Sequence, residues 1–321
     1  MKQFGWCFIG AGAISNKVSD DSDGICIKSV YTRNIQNAQR FADKYGAAAY
    51  DSFDAAVTAP GVSGVYVATP NSAHYESVCR ALVLGKPVLC EKPLGLNAAQ
   101  VREMTALAKE NSLFLAEAMW TRYNPVIRTV CDWVKGGMIG DVNHIEAGFA
   151  AATDFDPANR RFDPKLGGGA VLDVGIYPIA FVQMIYGDAP VSVDVCAKLA
   201  PTGVDSRVTA LLDYGEGRTA GIFAAVDTQG SSTAVISGTS GTIIVPEYWK
   251  ARSAVLAKRN GETMEVKRDG CVGWGYQMSE TEMLISSGAL ESPVIPLSDT
   301  LQMSELMDCI LKKAGVSFDF N

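Results

Sequence analysis

The sequence predicts an α/β protein of two domains: a parallel sheet covered by helices, followed by an α+β domain on an antiparallel sheet. Short apolar segments alternate with helical patterns through residues 1–118, and a Gly-x-Gly turn follows the first apolar segment. Residues 191–245 instead consist of strand-like segments separated by turn signals. Alternation of strands and helices is typical of a parallel sheet covered on both faces. The length of 321 residues is ample for two domains.

The strands of the first domain are predicted from short apolar runs, which lie at residues 6–9, 25–31, 65–68, 87–90 and 113–116. Helical patterns fill the intervals between them. The first helix is predicted to be short, because few residues separate Gly12 from the second strand. Asn34 and Asn97 are suited to cap two later helices, and Gly46 is suited to end one. We place this domain at residues 1–118.

The second domain, residues 119–321, has a different pattern. Helical periodicity at 124–135 and 170–186 precedes the strand-like segments, which lie at residues 191–198, 208–214, 219–226, 233–237 and 242–245. Turn signals at 214–217 and 238–241 separate neighbouring segments, which indicates an antiparallel sheet. A final helix is predicted at 298–313.

Composition excludes several classes of function. A net charge of −7 offers no basic field for nucleic acid. We find no run of about 20 apolar residues that could span a membrane, and no signal-peptide pattern at the start. The eight cysteines are scattered singly, and the closest pair, Cys79 and Cys90, is too widely spaced for a CxxC motif. We therefore expect a cytoplasmic protein without disulfides. With only two histidines, we expect no metal site.

The turn after the first strand has the residues of a dinucleotide-binding loop, Gly10-Ala11-Gly12-Ala13-Ile14-Ser15. The first glycine permits a tight turn, the second permits close approach to a diphosphate, and Ser15 is small enough for helix–strand packing. Gly10, Gly12, Ala13 and Ile14 are the predicted cofactor contacts, through backbone N–H groups at the helix start. The alternative is an ordinary strand-to-helix turn.

The end of the second strand bears on the choice of cofactor. A site selective for NAD commonly has an acidic residue here, which binds the ribose 2′-hydroxyl. This chain has Tyr31-Thr32-Arg33-Asn34 instead. Thr32 and Arg33 could bind a 2′-phosphate, so NADP(H) is favoured over NAD(H). The alternative is that Arg33 is a surface arginine.

Four motifs resemble those of the Gfo/Idh/MocA oxidoreductases in order and spacing: the Gly10–Gly12 turn and residues 69–74, 85–93 and 168–175. The resemblance covers nearly the whole chain. Within the family, residues 117–122, 173–177 and 292–297 resemble the branch of dimeric dihydrodiol dehydrogenase and NADP-dependent D-xylose dehydrogenase.

The resemblance implies a Rossmann domain followed by an α+β domain on an open, mostly antiparallel sheet. In such proteins the open sheet face often forms the interface of a homodimer, so a homodimer or higher homo-oligomer is expected. The final helix, at residues 298–313, is one that can pack back on the first domain.

The resemblance also assigns strand-end residues to the cofactor. The third main strand ends in Thr69-Pro70-Asn71, and the fourth ends in Glu91-Lys92-Pro93. Both tripeptides follow the carboxyl ends of strands, where nucleotide-binding sheets form their crevice. Asn71 and His74 resemble residues that contact the nicotinamide half. For His74, a capping role at a helix start is an equally good interpretation.

Lys92, Asp173 and Tyr177 are the predicted catalytic residues. A phenol with a pKa near 10 is a poor base at neutral pH unless a cation stabilises its phenolate. We therefore predict a Lys92–Tyr177 pair, in which Tyr177 exchanges the substrate proton and Asp173 orients or charge-balances Lys92. The alternative is a core tyrosine and a helix-capping aspartate. Pro178 removes a helix hydrogen bond beside Tyr177 and is expected to distort the helix there.

Five further residues are predicted to contact substrate. Trp120 and Arg122 open the second domain, where ordinary packing at a hinge is the alternative interpretation. The others are Arg161, Trp274 and Tyr276, for which a dimer interface is an equally good explanation.

These observations together favour an NAD(P)-dependent oxidoreductase acting on a sugar, polyol, cyclic diol or small dicarbonyl. A non-catalytic NAD(P)-binding sensor on the same fold is the alternative. The presence of Lys92, Asp173 and Tyr177 argues against it, because a pure binder has no use for an acid–base group. A redox-neutral glycoside hydrolysis that recycles NAD is a weaker third possibility.

Overall fold

A computed structural model describes residues 3–270 and 273–318. Among these residues the chain forms two compact units. The first is drawn from Met1–Trp120 and Trp274–Leu301, and the second from Thr121–Gly273 and Gln302–Asn321. The division thus differs from the predicted one, because the chain returns to the first unit at Trp274. Only the start of the last helix belongs to that unit.

The first unit is built on a six-stranded parallel sheet. Its strands are β1 (Trp6–Ile9), β2 (Ile27–Tyr31), β3 (Ala48–Tyr50), β4 (Gly64–Val67), β5 (Val88–Glu91) and β6 (Leu115–Ala118). Their order is β3-β2-β1-β4-β5-β6, with every neighbouring pair parallel. The order reverses between β1 and β4, which is where such sheets bind dinucleotides. The predicted Rossmann domain is confirmed.

The helices follow the predicted capping pattern. In chain order they are α1 (Ala13–Asp21), α2 (Ile35–Tyr45), α3 (Phe53–Val57), α4 (His74–Val83), α5 (Ala98–Glu110), α6 (Pro125–Lys135), α7 (Ile176–Tyr186), α8 (Trp274–Ser286) and α9 (Leu297–Lys313). The side chains of Asn34 and Asn97 accept backbone N–H groups at the starts of α2 and α5. Gly46 ends α2 in the left-handed conformation. The first helix, α1, has nine residues and is short, as predicted.

Both faces of the parallel sheet are covered. Side chains alternate along each strand, so neighbouring residues belong to apolar clusters on opposite faces. Ile9 and Val67 belong to the apolar cluster on one face. Phe8 and Tyr66 belong to the cluster on the other face, with Met278 of α8. The strands are therefore buried on both sides, which explains why their sequences are continuously apolar.

The second unit contains an eight-stranded sheet. Its strands are β7 (Val142–Ala150), β8 (Ser192–Leu199), β9 (Asp205–Asp213), β10 (Thr219–Ala225), β11 (Ala234–Gly238), β12 (Gly241–Val245), β13 (Ser253–Lys258) and β14 (Thr263–Lys267). The order is β14-β13-β12-β11-β7-β10-β9-β8. Neighbouring strands are antiparallel except β7 and β10, which pair in parallel. The predicted antiparallel α+β domain is confirmed.

One face of this sheet is buried and the other is open. The buried face includes Ile145 of β7 and Ile222 of β10. On the open face a row of directly paired residues crosses the sheet, which we call the open row: Leu211, Gly221, Glu146, Val235 and Ile244. Leu211 is 51% exposed and Ile244 is 43% exposed.

Within the described residues, one helical stretch, Pro164–Tyr186, is long and apolar enough to cross a membrane by length and composition. Its most apolar window is 89% buried inside the structure. Burial of this extent is expected of the core helix of a folded domain.

Candidate functional site

The glycine turn lies at the reversal point of the parallel sheet. Gly10 has a φ of +103°, and a Cβ on it would lie 2.3 Å from the carbonyl oxygen of Ala68, just beyond β4. Only glycine fits this position. The buried hydroxyl of Ser15 donates a hydrogen bond of 2.9 Å to the Gly10 carbonyl, which fixes the turn against α1. The sequence-based assignment of a tight turn at Gly10 thus has a specific steric cause.

Gly12 leaves the start of α1 open. A Cβ on Gly12 would meet no heavy atom within 4 Å among the described residues. Backbone N–H groups at a helix start are an anion-binding site when no side chain occupies them. The space above Gly12 and the small residues around it therefore fit a dinucleotide diphosphate.

At the end of β2, the two residues predicted to select the cofactor lie in different environments. The hydroxyl of Thr32 donates to the carbonyl of Asn34 at 2.6 Å and accepts the Asn34 N–H at 3.2 Å. Thr32 therefore shapes the turn into α2. Arg33 is exposed.

His74 joins the ends of β4 and β5. Its Nδ1 lies 2.7 Å from the carbonyl oxygen of Pro93, and its Nε2 lies 3.0 Å from that of Thr69. The side chain is completely buried, and burial lowers its pKa although the two backbone hydrogen bonds raise it. Because the ring lies between carbonyl oxygens of these two segments, the geometry supports a role in positioning them, and the contact with the nicotinamide half stays a prediction.

Two buried glutamates hold the segment around Lys92. Glu91 accepts a 2.7 Å hydrogen bond from the hydroxyl of Tyr66, and burial raises the pKa of this glutamate. Glu117 of β6 accepts the N–H of Leu94 at 2.8 Å and is 1% exposed. The half-buried Lys92 is therefore flanked by anchored residues on both sides, and the Lys92–Pro93 peptide bond is cis.

Sequence reasoning missed the role of Glu117. The signal was present as an acidic residue within an otherwise apolar strand, Leu115-Ala116-Glu117-Ala118. A carboxylate is almost never fully buried without a partner. An acid at such a position therefore indicates a specific hydrogen-bonded role.

In the second unit, Asp173 lies in the turn that leads into α7, and Tyr177 is the second residue of α7. Asp173 is in a π-helical turn, Val171–Gly175, in which the N–H of Ile176 donates to the carbonyl of Val171. The predicted distortion beside Pro178 is therefore found one turn earlier. Pro178 has no N–H, so the α-helical bond back to the carbonyl of Val174, which lies in this turn, cannot form.

The carboxylate of Asp173 forms ion pairs with two arginines of the second unit. Its Oδ1 lies 2.9 Å from Nη1 of Arg160, and its Oδ2 lies 2.9 Å from Nε of Arg161. Arg161 also donates to the carbonyl of Ala151 at 3.1 Å. Arg161, which was predicted to contact substrate, thus links Asp173 to the backbone of Ala151. Asp173, predicted to orient Lys92, holds this arginine pair.

Aromatic side chains surround the phenol of Tyr177. The ring of Phe149 lies 5.3 Å from the Tyr177 ring, and that of Trp249 lies 6.1 Å from it, between centroids. Phe149 and Trp249 are themselves stacked at 4.7 Å. Both are half-buried. This group, which we call the aromatic wall, was not predicted, because Phe149 and Trp249 are a hundred residues apart and meet only when β7 and the short 3₁₀ turn after β12 pack together.

The remaining predicted contacts have other environments. Trp120 is 1% exposed and packs on Trp274 within the first unit at 4.4 Å between centroids. Arg122 is 5% exposed and donates to the side chain of Gln183 within the second unit. For Trp120 and Arg122 this matches the packing alternative. Tyr276 is 42% exposed.

The described residues contain no group of three or more histidine, cysteine or carboxylate side chains that could hold a metal ion.

Comparison with known proteins identifies two matching family models. One, the Gfo/Idh/MocA oxidoreductase family with an NAD-binding Rossmann fold, matches residues 4–118. The other, the C-terminal domain of the same family, matches residues 127–244. Together these matches include the glycine turn, the Lys92 segment and both Asp173 and Tyr177.

Relatives named as dehydrogenases align over 91–98% of this chain. The chain is 31% identical to trans-1,2-dihydrobenzene-1,2-diol dehydrogenase of Mus musculus, with 98% of this chain and 97% of the relative covered. It is 34% identical to the Homo sapiens enzyme of that name, with 91% and 90% covered.

Two solved structures have the same fold. A 3-ketoreductase from Actinomadura kijaniata, in complex with NADP and TDP-benzene, has a TM-score of 0.85, 22% identity and 97% coverage of both chains. An aldose-aldose oxidoreductase from Caulobacter crescentus, complexed with glycerol, has a TM-score of 0.87, 21% identity and 98% coverage of both.

Proposed function

The chain belongs to the Gfo/Idh/MocA family of NAD(P)-dependent oxidoreductases, and from this premise we propose that it interconverts a carbinol and a carbonyl on a cyclic diol or sugar. The observation that carries the proposal is the carboxyl edge of β1, β4 and β5. There the open start of α1 follows β1 and the anchored Lys92 segment follows β5, with β4 between these two strands of one sheet. A bound nicotinamide supplies or accepts the hydride at such an edge.

The proposed substrate class rests on the aromatic wall. The stacked pair of Phe149 and Trp249 presents an apolar face beside the phenol of Tyr177. Flat aromatic surfaces with a few polar groups suit a ring that carries hydroxyls. The relatives named for a dihydrobenzene diol and the neighbour named for aldoses support the same class. A cyclic diol is therefore the first substrate to test, followed by aldoses, polyols and small dicarbonyls.

Proton transfer is proposed to use Tyr177, with Lys92 as the cation that makes its phenolate accessible near neutral pH. Lys92 also holds the substrate oxygen, so that charge developing on that oxygen is stabilised. Asp173 is proposed to fix Arg160 and Arg161 to the start of the helix that carries Tyr177. The ion pairs of its carboxylate with both arginines support this role, and the orientation of Lys92 stays a second proposed role of Asp173.

NADP(H) is proposed as the preferred cofactor. Arg33 is exposed at the end of β2, where a 2′-phosphate would be recognised, and no acidic residue is present from Tyr31 to Asn34. The 3-ketoreductase of the same fold was solved with NADP, which supports this preference. An Arg33→Ala variant is expected to lose NADPH affinity about tenfold and to keep NADH affinity.

A homodimer through the open row is also proposed. Leu211 and Ile244 are exposed aliphatic residues on an otherwise regular sheet face, and Gly221 between them leaves the face flat. A second copy of the chain would bury this row. Analytical ultracentrifugation of the wild type and Leu211→Asp tests it. A dimer that the variant converts to monomer is expected, and a wild-type monomer would contradict the proposal.

The activity is tested by the oxidation of NADPH or reduction of NADP⁺ with the substrate panel. Turnover with a cyclic diol or sugar is expected. Binding of NADPH without turnover of any member would instead support a sensor. Once a substrate is found, Tyr177→Phe and Lys92→Ala are each expected to lower kcat by about 100-fold or more. If the two residues act as one unit, the double variant is no slower than the slower single variant.

A further inference from the structure

The helix that carries Asp173 and Tyr177 takes its cap from a distant strand. The residue before the π-helical turn is Ala170, which has no polar side chain to cap it. The carboxylate of Asp205, at the start of β9, instead accepts the N–H of Val171 at 2.7 Å. Asp205 is completely buried. A carboxylate at a helix start also complements the helix dipole.

The chain is shaped around this carboxylate. Gly169 has a φ of +117°, and a Cβ there would lie 2.3 Å from Oδ1 of Asp205, so only glycine permits the approach. The same glycine donates its N–H to the carbonyl of Arg161 at 2.9 Å and accepts the N–H of Asp173 at 3.2 Å. Gly169, which lies against Asp205, is therefore also the residue whose backbone hydrogen bonds connect Arg161 and Asp173.

The far end of the same turn is held as well. A Cβ on Gly175 would lie 3.2 Å from Cβ of Ala224, so the helix lies close against β10 at this point. The π-helical turn is thus fixed between Asp205 at its start and β10 at its end. Asp173 lies between these two anchors, and Tyr177 follows immediately.

Burial of a carboxyl group is costly, so Asp205 would not persist here as an ordinary core residue. Burial raises its pKa to about 7, and the backbone N–H groups that it accepts lower it in part. An apolar residue would fill the same space without that cost, but it could not hold the N–H of Val171.

We propose that Asp205 is a positioning residue of the candidate site, which holds the π-helical turn so that Asp173 with its arginines, and Tyr177 after it, keep their working orientation. The inference rests on the proposed function. Asp205 acts through the backbone of the turn and does not itself contact substrate.

The test compares Asp205→Ala with Asp205→Asn, which keeps an acceptor oxygen for the Val171 N–H. Asp213→Ala is the matched control, since Asp213 ends the same strand and accepts the N–H of Gly215 in a turn. For each protein, steady-state kinetics are measured together with hydrogen–deuterium exchange of peptides covering residues 168–178.

Asp205→Ala is expected to lower kcat about 10- to 100-fold while KM for NADPH changes less than about twofold. Exchange should become faster in residues 168–178 and stay unchanged in β9. Asp205→Asn should recover most of kcat, and Asp213→Ala should match the wild type. A wild-type kcat in Asp205→Ala would overturn the proposal, as would faster exchange throughout the second unit. If the wild type turned over no substrate, the proposed function would fail, and exchange in residues 168–178 alone would decide whether Asp205 holds the turn.

Discussion

Alanine at Gly10 and at Gly12 separates the fold of the dinucleotide loop from its binding function. At Gly10 the new Cβ would lie 2.3 Å from the Ala68 carbonyl oxygen, about 1 Å inside ordinary van der Waals contact, and φ is +103°. The turn must then shift away from β4. At Gly12 the new Cβ meets no described heavy atom within 4 Å, and φ is −80°. The folded chain can accept alanine there.

The expected costs follow from these environments. Gly10→Ala should lower the free energy of unfolding by about 2–4 kcal/mol, from backbone strain and displacement of a packed turn. Gly12→Ala should change it by less than about 1 kcal/mol, because an alanine replaces a glycine at a helix start. Both should weaken NADPH binding by about tenfold or more, Gly12→Ala because its methyl group takes the space of the diphosphate.

Urea unfolding followed by tryptophan fluorescence measures the first quantity, and titration of NADPH fluorescence measures the second. The informative result is that Gly12→Ala loses affinity for NADPH while its free energy of unfolding stays close to that of the wild type. Wild-type affinity for NADPH in this variant would refute the placement of the diphosphate at the start of α1. Wild-type stability in Gly10→Ala would refute the steric account of the turn.

Two further predictions concern buried carboxyl groups. The pKa of Asp205 is raised to about 7 by burial, so the folded state binds its proton more tightly than the unfolded state does. The unfolding free energy of the wild type relative to Asp205→Asn should therefore fall by up to about 4 kcal/mol as pH rises from about 4 to above 7. Urea unfolding of both proteins across this range checks it, and a difference that does not vary with pH would be inconsistent with a raised pKa. Glu117→Ala leaves the buried N–H of Leu94 without its 2.8 Å acceptor, which should cost about 1–3 kcal/mol of stability. It should also lower kcat through the adjoining Lys92, while Glu110→Ala on the exposed end of α5 serves as the control; equal behaviour of the two variants would contradict the anchoring role of Glu117.

The strands and caps that depend on local sequence were predictable. The five apolar runs of the first domain correspond to β1, β2, β4, β5 and β6, with ends within two residues, because strands buried on both faces are continuously apolar. The short edge strand Ala48–Tyr50 and the helix Phe53–Val57 were missed, since neither is long enough to show a period.

Helix α8 was missed for a different reason. Its only fully buried residues are Gln277, Met278 and Thr281, so the stripe that faces the core is partly polar. A pattern of apolar residues could not identify it. The return of the chain to the first unit therefore could not be predicted either.

In the candidate site as well, features of consecutive residues were predictable, whereas contacts between residues remote in sequence were not. The glycine turn was predictable because its residues are consecutive, and each has a local steric reason. The roles of Glu117, Asp205 and Trp249 depend on contacts with Leu94, Val171 and Tyr177, which are remote in sequence. Asp173 was predicted as a functional residue, but its partners were not, because Arg160 and Arg161 reach it only once the turn around Gly169 has formed.

The most direct test of the account follows the transferred hydrogen itself. The enzyme is incubated with NADPH deuterated at the reactive carbon of the nicotinamide and with the carbonyl form of a substrate found in the panel, and the product is analysed by mass spectrometry. One deuterium is expected, bound to the new carbinol carbon, and the combined Tyr177→Phe and Lys92→Ala variant should form this deuterated product at least about 100-fold more slowly. A product that forms at the wild-type rate without deuterium would contradict hydride transfer as the reaction of this protein.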